Sequence, residues 1–139
     1  MRRLALLAAM ALLAAAGPAE AYLHLTLRVG SGVRALRWQA MPVRWFALDR
    51  GVPQVTANQF QAAVARAFAT WEAVPTASIT FQFAGFTGAE PFDDDDLSVL
   101  GFVPEPEMER VLGATSFIVD VVTGEIVESD VFFNAVFPW

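Results

Sequence analysis

The chain has 139 residues, no cysteine, and 9 basic against 15 acidic side chains for a formal net charge of −6. That length holds one domain at most, and without cysteine there is no disulfide framework, thiol nucleophile or thiolate metal ligand. The acidic balance argues against a nucleic-acid partner, whose phosphates demand clustered cations, while 55% hydrophobic residues and 12 phenylalanines supply material for a packed core.

The chain opens on Met1-Arg2-Arg3, runs apolar from Leu4 to Ala16, and reaches Ala19-Glu20-Ala21 after Gly17-Pro18. A basic start, a short apolar centre and an Ala-x-Ala ending have the anatomy of an export signal over residues 1–21. The apolar centre is too short for a spanning helix, which needs about 20 such residues; a retained anchor is the alternative. The expected product starts at Tyr22, is released outside the cell or into the periplasm, and meets no membrane once the signal is removed.

From His24 to Val29 apolar and polar residues alternate, break at Gly30-Ser31-Gly32, and resume from Val33 to Trp38. This pattern predicts a hairpin or an extended N-terminal arm. Pro42 to Leu48 has the β-branched and aromatic content of a strand, and Asp49-Arg50-Gly51 turns the chain. A helix begins after Thr56, which with Gln59 has capping-box spacing, and Val55 is placed to staple onto Phe60. Phe60, Ala63, Val64, Ala67, Phe68 and Trp71 form one stripe, predicted to be core, with Gln61, Arg66 and Thr70 off it. Pro75 closes the helix.

Runs of strand length follow at Ile79 to Ala84, Leu97 to Val103, Ala114 to Val122 and Glu125 to Asn134. Thr123-Gly124 joins the last two as an antiparallel hairpin. One strand, one helix and then several strands predict an α/β (α+β) fold: a mixed, mostly parallel twisted sheet of about five strands with a single amphipathic helix on it. Phe117-Ile118-Val119 and Val131-Phe132-Phe133 are apolar in succession, which predicts that both sheet faces are buried. Covering the second face calls for a second helix, and none is encoded. The apolar ending Val136-Phe137-Pro138-Trp139 adds the expectation that the chain stops inside its domain.

Asp93-Asp94-Asp95-Asp96 is the densest charge run. Hard carboxylate oxygens suit calcium, and Asp94, Asp96, Ser98 and Glu105 fall on ligand positions of a calcium loop. The sixth position of that frame is Val99 where glycine is required, so an EF-hand is rejected. A solvated acidic turn and an irregular calcium site using Asp94 and Asp96 both remain. The only histidine, His24, has no partner at metal-ligand spacing and is read as an ordinary residue of the arm. A serine triad lacks a plausible histidine base, no pair of carboxylates is singled out for glycoside hydrolysis, and Gly30-Ser31-Gly32 lacks the lysine and helix of a phosphate loop.

The order of these segments resembles the opening of matrixin-like metzincin zinc peptidases of bacteria. The residues that carry the resemblance are Leu36-Arg37-Trp38, Pro42-Val43-Arg44-Trp45-Phe46, Ala62 to Trp71, Ile79-Thr80-Phe81, the Asp-rich turn into Leu97 to Val103, and Thr123-Gly124-Glu125-Ile126 leading to Asp130-Val131-Phe132-Phe133-Asn134. The resemblance spans nearly all of residues 22–139. It implies a five-stranded sheet backed by one helix, followed by a zinc helix with His-Glu-x-x-His-x-x-Gly-x-x-His, in which three histidines hold zinc and the glutamate is the general base. That motif does not occur in this sequence, so no zinc ligand and no catalytic residue is assigned, and the 139 residues alone are expected to be inactive.

The resemblance further implies that the antiparallel edge strand before the last strand pairs with an extended peptide or protein substrate. It places Thr115, Ser116 and Phe117 there as substrate contacts; an edge strand with no ligand is the alternative. The expected function is the N-terminal section of a secreted zinc metalloendopeptidase, acting as a monomer. Alternatives are a complete exported binding module and a catalytically dead homologue that keeps the scaffold.

Overall fold

The structure is a computed structural model that describes residues 25–139. The expected export signal over residues 1–21, Tyr22 and His24 lie outside the described residues. Strands β1 (Thr26–Val29) and β2 (Gly32–Ala35) form a two-stranded antiparallel hairpin. The remaining elements are β3 (Val43–Leu48), α1 (Ala57–Glu72), β4 (Phe81–Thr87), β5 (Val99–Val103), a 3-10 turn at Pro106–Met108, β6 (Gly113–Val119) and β7 (Ile126–Asn134). Among the described residues, no helix is long and apolar enough to cross a membrane.

The main sheet has five strands in the order β4-β3-β5-β7-β6. All its neighbours run parallel except β6, which is antiparallel to β7. This is the mixed, mostly parallel sheet with one helix that the sequence predicts. The hairpin docks beside it: Arg37 N–H donates to the Gly124 carbonyl at 3.1 Å and Ile126 N–H to the Arg37 carbonyl at 2.9 Å. Gly124 takes a φ of 77° and lies against the Ala35 carbonyl, a place where a side chain would be both strained and crowded.

The capping box that starts α1 forms as predicted: Thr56 Oγ1 accepts from Gln59 N–H at 3.3 Å and Gln59 Oε1 accepts from Thr56 N–H at 2.9 Å. Phe60 and Val64 of the stripe are buried with Trp45, Ala47, Leu100 and Phe102 of the sheet, and Val55, Phe68 and Phe81 pack around them. Phe68 stacks on Phe81 with centroids 4.0 Å apart, and Phe60 meets Phe102 and Phe133 at 4.9 and 5.3 Å. Trp71 departs from the prediction and is 65% exposed. It sits in the last turn of α1, and Ala63 and Ala67, which extend the stripe toward it, are exposed as well.

Strand alternation sends Glu128, Asp130, Phe132 and Asn134 of β7 to the face opposite α1. All four are buried, but no helix covers them. The 88–98 connection, which passes from β4 to β5, and the 104–112 connection, which passes from β5 to β6, lie across this face instead. Leu48 packs there against Gly101, where an added Cβ would fall 2.4 Å from the Leu48 side chain, so glycine is what lets the two strands' contents fit. The requirement for a second helix on this side is therefore corrected: two irregular loops do the covering. The expectation of burial on both faces also fails at the outer strand, where Phe117 and Ile118 of β6, which point to opposite faces, are both exposed, because β6 is the edge of the sheet with a neighbouring strand on one side alone.

Candidate functional site

The site the sequence singles out is the outer edge of β6. That strand is fixed from below by Asn134, which is fully sealed from solvent. Its Oδ1 accepts from Glu105 N–H at 3.0 Å, and its Nδ2 donates to the carbonyls of Glu105, Met108 and Val111 at 2.9, 3.2 and 3.1 Å. One amide side chain thus satisfies four main-chain groups of a connection that has no ladder of its own. Asn134 N–H then donates to the Leu112 carbonyl at 2.8 Å, delivering the chain to β6 in register.

Along β6, Thr115 pairs with Val131, Ser116 with Asp130 and Phe117 with Ser129. Ser129 Oγ donates to the Ser116 carbonyl at 3.1 Å, a side-chain bond added to the ladder. Thr115 and Phe117 are exposed and Ser116 is half-buried. By alternation Thr115 and Phe117 stand on the α1 side of the sheet. A cavity of about 260 Å³ opens on that side between Leu112, Thr115, Val131, Phe133 and Trp139. A second one of about 350 Å³, almost wholly apolar, follows between Phe60, Ala63, Ala67, Phe102 and Trp139. Trp139 stands between them, its Nε1 donating to the Asn134 carbonyl at 2.8 Å.

Asp94 and Asp96 belong to a different part of the molecule. They lie on the 88–98 connection, across the sheet from the α1 side. Both are exposed, and Asp96 has a φ of 62° and lines a cavity of about 490 Å³ with Trp38, Arg44, Phe46 and Glu125. The proposed calcium frame is divided by the fold. Ser98 is buried at the start of β5, with its Oγ accepting from Ser129 N–H at 3.0 Å, while Glu105 lies past the other end of that strand. Among the described residues, no group of three or more His, Cys, Asp or Glu side chains converges as a metal site. With a single histidine and no cysteine in 139 residues, the chain does not supply the three-histidine set that the resemblance implies for zinc.

No protein-family model, curated protein or solved structure significantly matches this chain.

The chemistry that sequence reasoning missed is on β7. Asp130 is 1% exposed and accepts two main-chain bonds: Oδ1 from Val99 N–H at 2.8 Å and Oδ2 from Phe92 N–H at 2.7 Å. Burial pushes its carboxyl above the usual range, the two N–H donors pull it back, and nearby Asp95 and Asp93 add a further upward push. Glu128 is 2% exposed and its Oε2 has no hydrogen-bond partner. Its carboxyl is also raised, first by burial and then by the charge of Asp130, against a downward pull from the N–H groups of Asp96 and Asp95. The signal was present in the sequence. Glu128, Asp130 and Asn134 are separated by even steps along β7, which puts them in one row on one face of the strand.

Proposed function

We propose that this chain is the N-terminal, peptide-holding section of an exported zinc metalloendopeptidase, in which β6 receives an extended substrate strand. The observation that carries the reading is the position of β6: it is the one antiparallel strand of the main sheet, it is at the edge, and its outer side has no strand beside it. An added strand would take its affinity from main-chain pairing and its selectivity from alternate side chains. Thr115 lines the Leu112 to Trp139 cavity and Phe117 is exposed further along the same face, so a paired peptide would set one side chain over that cavity. Cleavage requires zinc ligands that these residues do not provide, so binding is the activity assigned to the chain itself.

The apolar cavity beside α1 supports the same reading. The uncovered apolar surface lies on the helix side, between α1, β5, β7 and Trp139, and a zinc helix laid there would complete the core. Two measurements test the proposal. Titrating the labelled chain with a short apolar peptide that favours extended structure is expected to shift amide signals of Gly113–Val119 and leave those of Phe81–Thr87, the opposite edge, in place. Shifts confined to the β4 edge, or none at millimolar peptide, reject β6 as the receiving strand. The second measurement is on the coding DNA, where a His-Glu-x-x-His motif in frame beyond Trp139 is expected; its absence there rejects the peptidase and leaves a peptide-binding module.

A further inference from the structure

The main sheet is incomplete at one end. β3 begins at Val43 but meets β5 only from Phe46, and β7 begins at Ile126 but meets β5 only from Leu100 opposite Val131. Ahead of Val99 the sheet therefore has a notch, with β3 on one bank and β7 on the other. The cavity of about 490 Å³ lies in this notch, lined by Arg44 and Phe46 of β3, Leu97 and Ser98 on the approach to β5, and Ile126 and Val127 of β7. The N-terminal arm closes its end: Arg37 bonds through its main chain to Gly124 and Ile126, and Trp38 enters the lining. Small-molecule sites fall in the range of about 300–1,000 Å³, and this cavity is of that size.

Opposite charges line the notch without pairing. Among the described residues the one ion pair joins Arg50 to Glu90, so the Arg44 guanidinium has no carboxylate partner. Its central carbon lies 5.9 Å from the Phe46 ring centroid, a cation–π contact that leaves the guanidinium N–H donors free. Glu125 and Asp96 line the same cavity, and neither is paired with Arg44. Ser98 adds a buried donor: its Oγ accepts from Ser129 N–H at 3.0 Å, while its own proton meets no acceptor among the described residues. The larger part of the lining is apolar, with the rings of Trp38 and Phe46 as its widest surfaces. A purely anionic ligand meets two acids in this notch, and a purely cationic one meets Arg44. A ligand that carries both charges on an apolar body suits all three features.

We propose that the notch is a binding site for a free α-amino acid with an aromatic side chain. The ligand carboxylate takes the Arg44 guanidinium, whose fork of donors matches a carboxylate's two oxygens. The ligand ammonium faces Glu125, and the ligand ring packs against Trp38 and Phe46. The notch lies at the start of β7, away from the Leu112 to Trp139 cavity at that strand's end, so the inference does not depend on the peptidase reading.

Titrating the isotope-labelled full chain with L-phenylalanine decides it. Amide signals of Arg44, Phe46, Leu97 and Val127 and the Trp38 indole N–H signal are expected to move together with a midpoint of about 1 mM, the scale set by a ligand of this size, while Gly113–Val119 stay in place. No movement at about 20 mM, or movement confined to the helix-side cavity at Ala63 and Phe102, overturns the proposal. Hydrocinnamate lacks only the ammonium and phenethylamine lacks only the carboxylate. Each is expected to bind about tenfold or more weakly, having lost one charge-assisted contact. Binding of either as tight as that of phenylalanine overturns the proposal too. Arg44→Gln removes the charge at an exposed position and is expected to weaken phenylalanine by about the same factor. An unchanged midpoint in this variant takes the carboxylate away from Arg44 and overturns the site. Should the variant fail to fold, the comparison of the three compounds on the unaltered chain decides alone.

Discussion

On the side of α1 the sheet is covered by rings, with Trp45, Phe60, Phe102 and Phe133 packed between strand and helix and Trp139 against their margin. On the other side β7 contributes Glu128, Asp130, Phe132 and Asn134, and only one of these four is apolar. A helix satisfies its own backbone and can bring a continuous apolar stripe, so packing alone holds it. The 88–98 and 104–112 connections have neither property. Their N–H and carbonyl groups need partners supplied one at a time, and the single ring contact, Phe92 against Phe132 at 5.2 Å, is too little to hold them. The polar row on β7 is what a sheet needs when loops are its cover. The two sides also end differently: the polar side is closed over β7, while the ring side opens beside Ala63 and Ala67 into the apolar cavity.

Removing a ring should therefore cost more than removing a polar anchor, and act on the whole molecule. Phe60→Ala is expected to lower unfolding stability by about 3–5 kcal/mol, read by urea denaturation. A loss under about 1 kcal/mol would mean that the helix side is already loose around its cavity. Asn134→Ala is expected to cost about 2–3 kcal/mol, less than the ring because the groups it frees on the 104–112 connection can turn toward water. Its signature is local. Amide exchange should accelerate first at Glu105 and Leu112, ahead of any change in α1. Thr56→Ala, which removes half of the capping box, is expected to cost about 1 kcal/mol, and exchange should rise only in the first turn of α1.

The ring side was the more legible in the sequence, and the reason is periodicity. The capping box and the Phe60, Val64, Phe68 stripe are local patterns, and they fix the start of α1 at Ala57, while Pro75 lies three residues past its end at Glu72. The pairing of β6 with β7 was legible from Thr123-Gly124, whereas the sheet order β4-β3-β5-β7-β6 was not. The polar side was misread because an apolar run such as Val131-Phe132-Phe133 implies cover without saying what kind, and a loop's hold on a sheet is written in isolated residues. Asp130 and Asn134 carry that information, but their partners at Phe92, Val99, Glu105 and Met108 are 26 to 38 residues away in the chain, beyond the range of any local pattern. For the candidate site, the edge position of Thr115 to Phe117 was legible from the hairpin, whereas the Asp93 to Asp96 run drew attention to itself while the buried acids beneath it did not.

The smallest expected effect is the sharpest probe of the open side. Trp71 lies at the end of the apolar stripe yet is 65% exposed, so in this chain Trp71→Ala removes little buried surface and is expected to change stability by no more than about 0.5 kcal/mol. The same substitution in a longer product carrying a zinc helix has a different expectation. If that helix lies along Ala63 and Ala67, Trp71 gains a neighbour and its removal should cost about 2 kcal/mol or more. Comparing the two denaturation midpoints measures directly whether the exposed end of the stripe is an ordinary solvated ring or half of an interface. Equal small effects in both products would place any second helix elsewhere and remove the cavity's support for the peptidase reading.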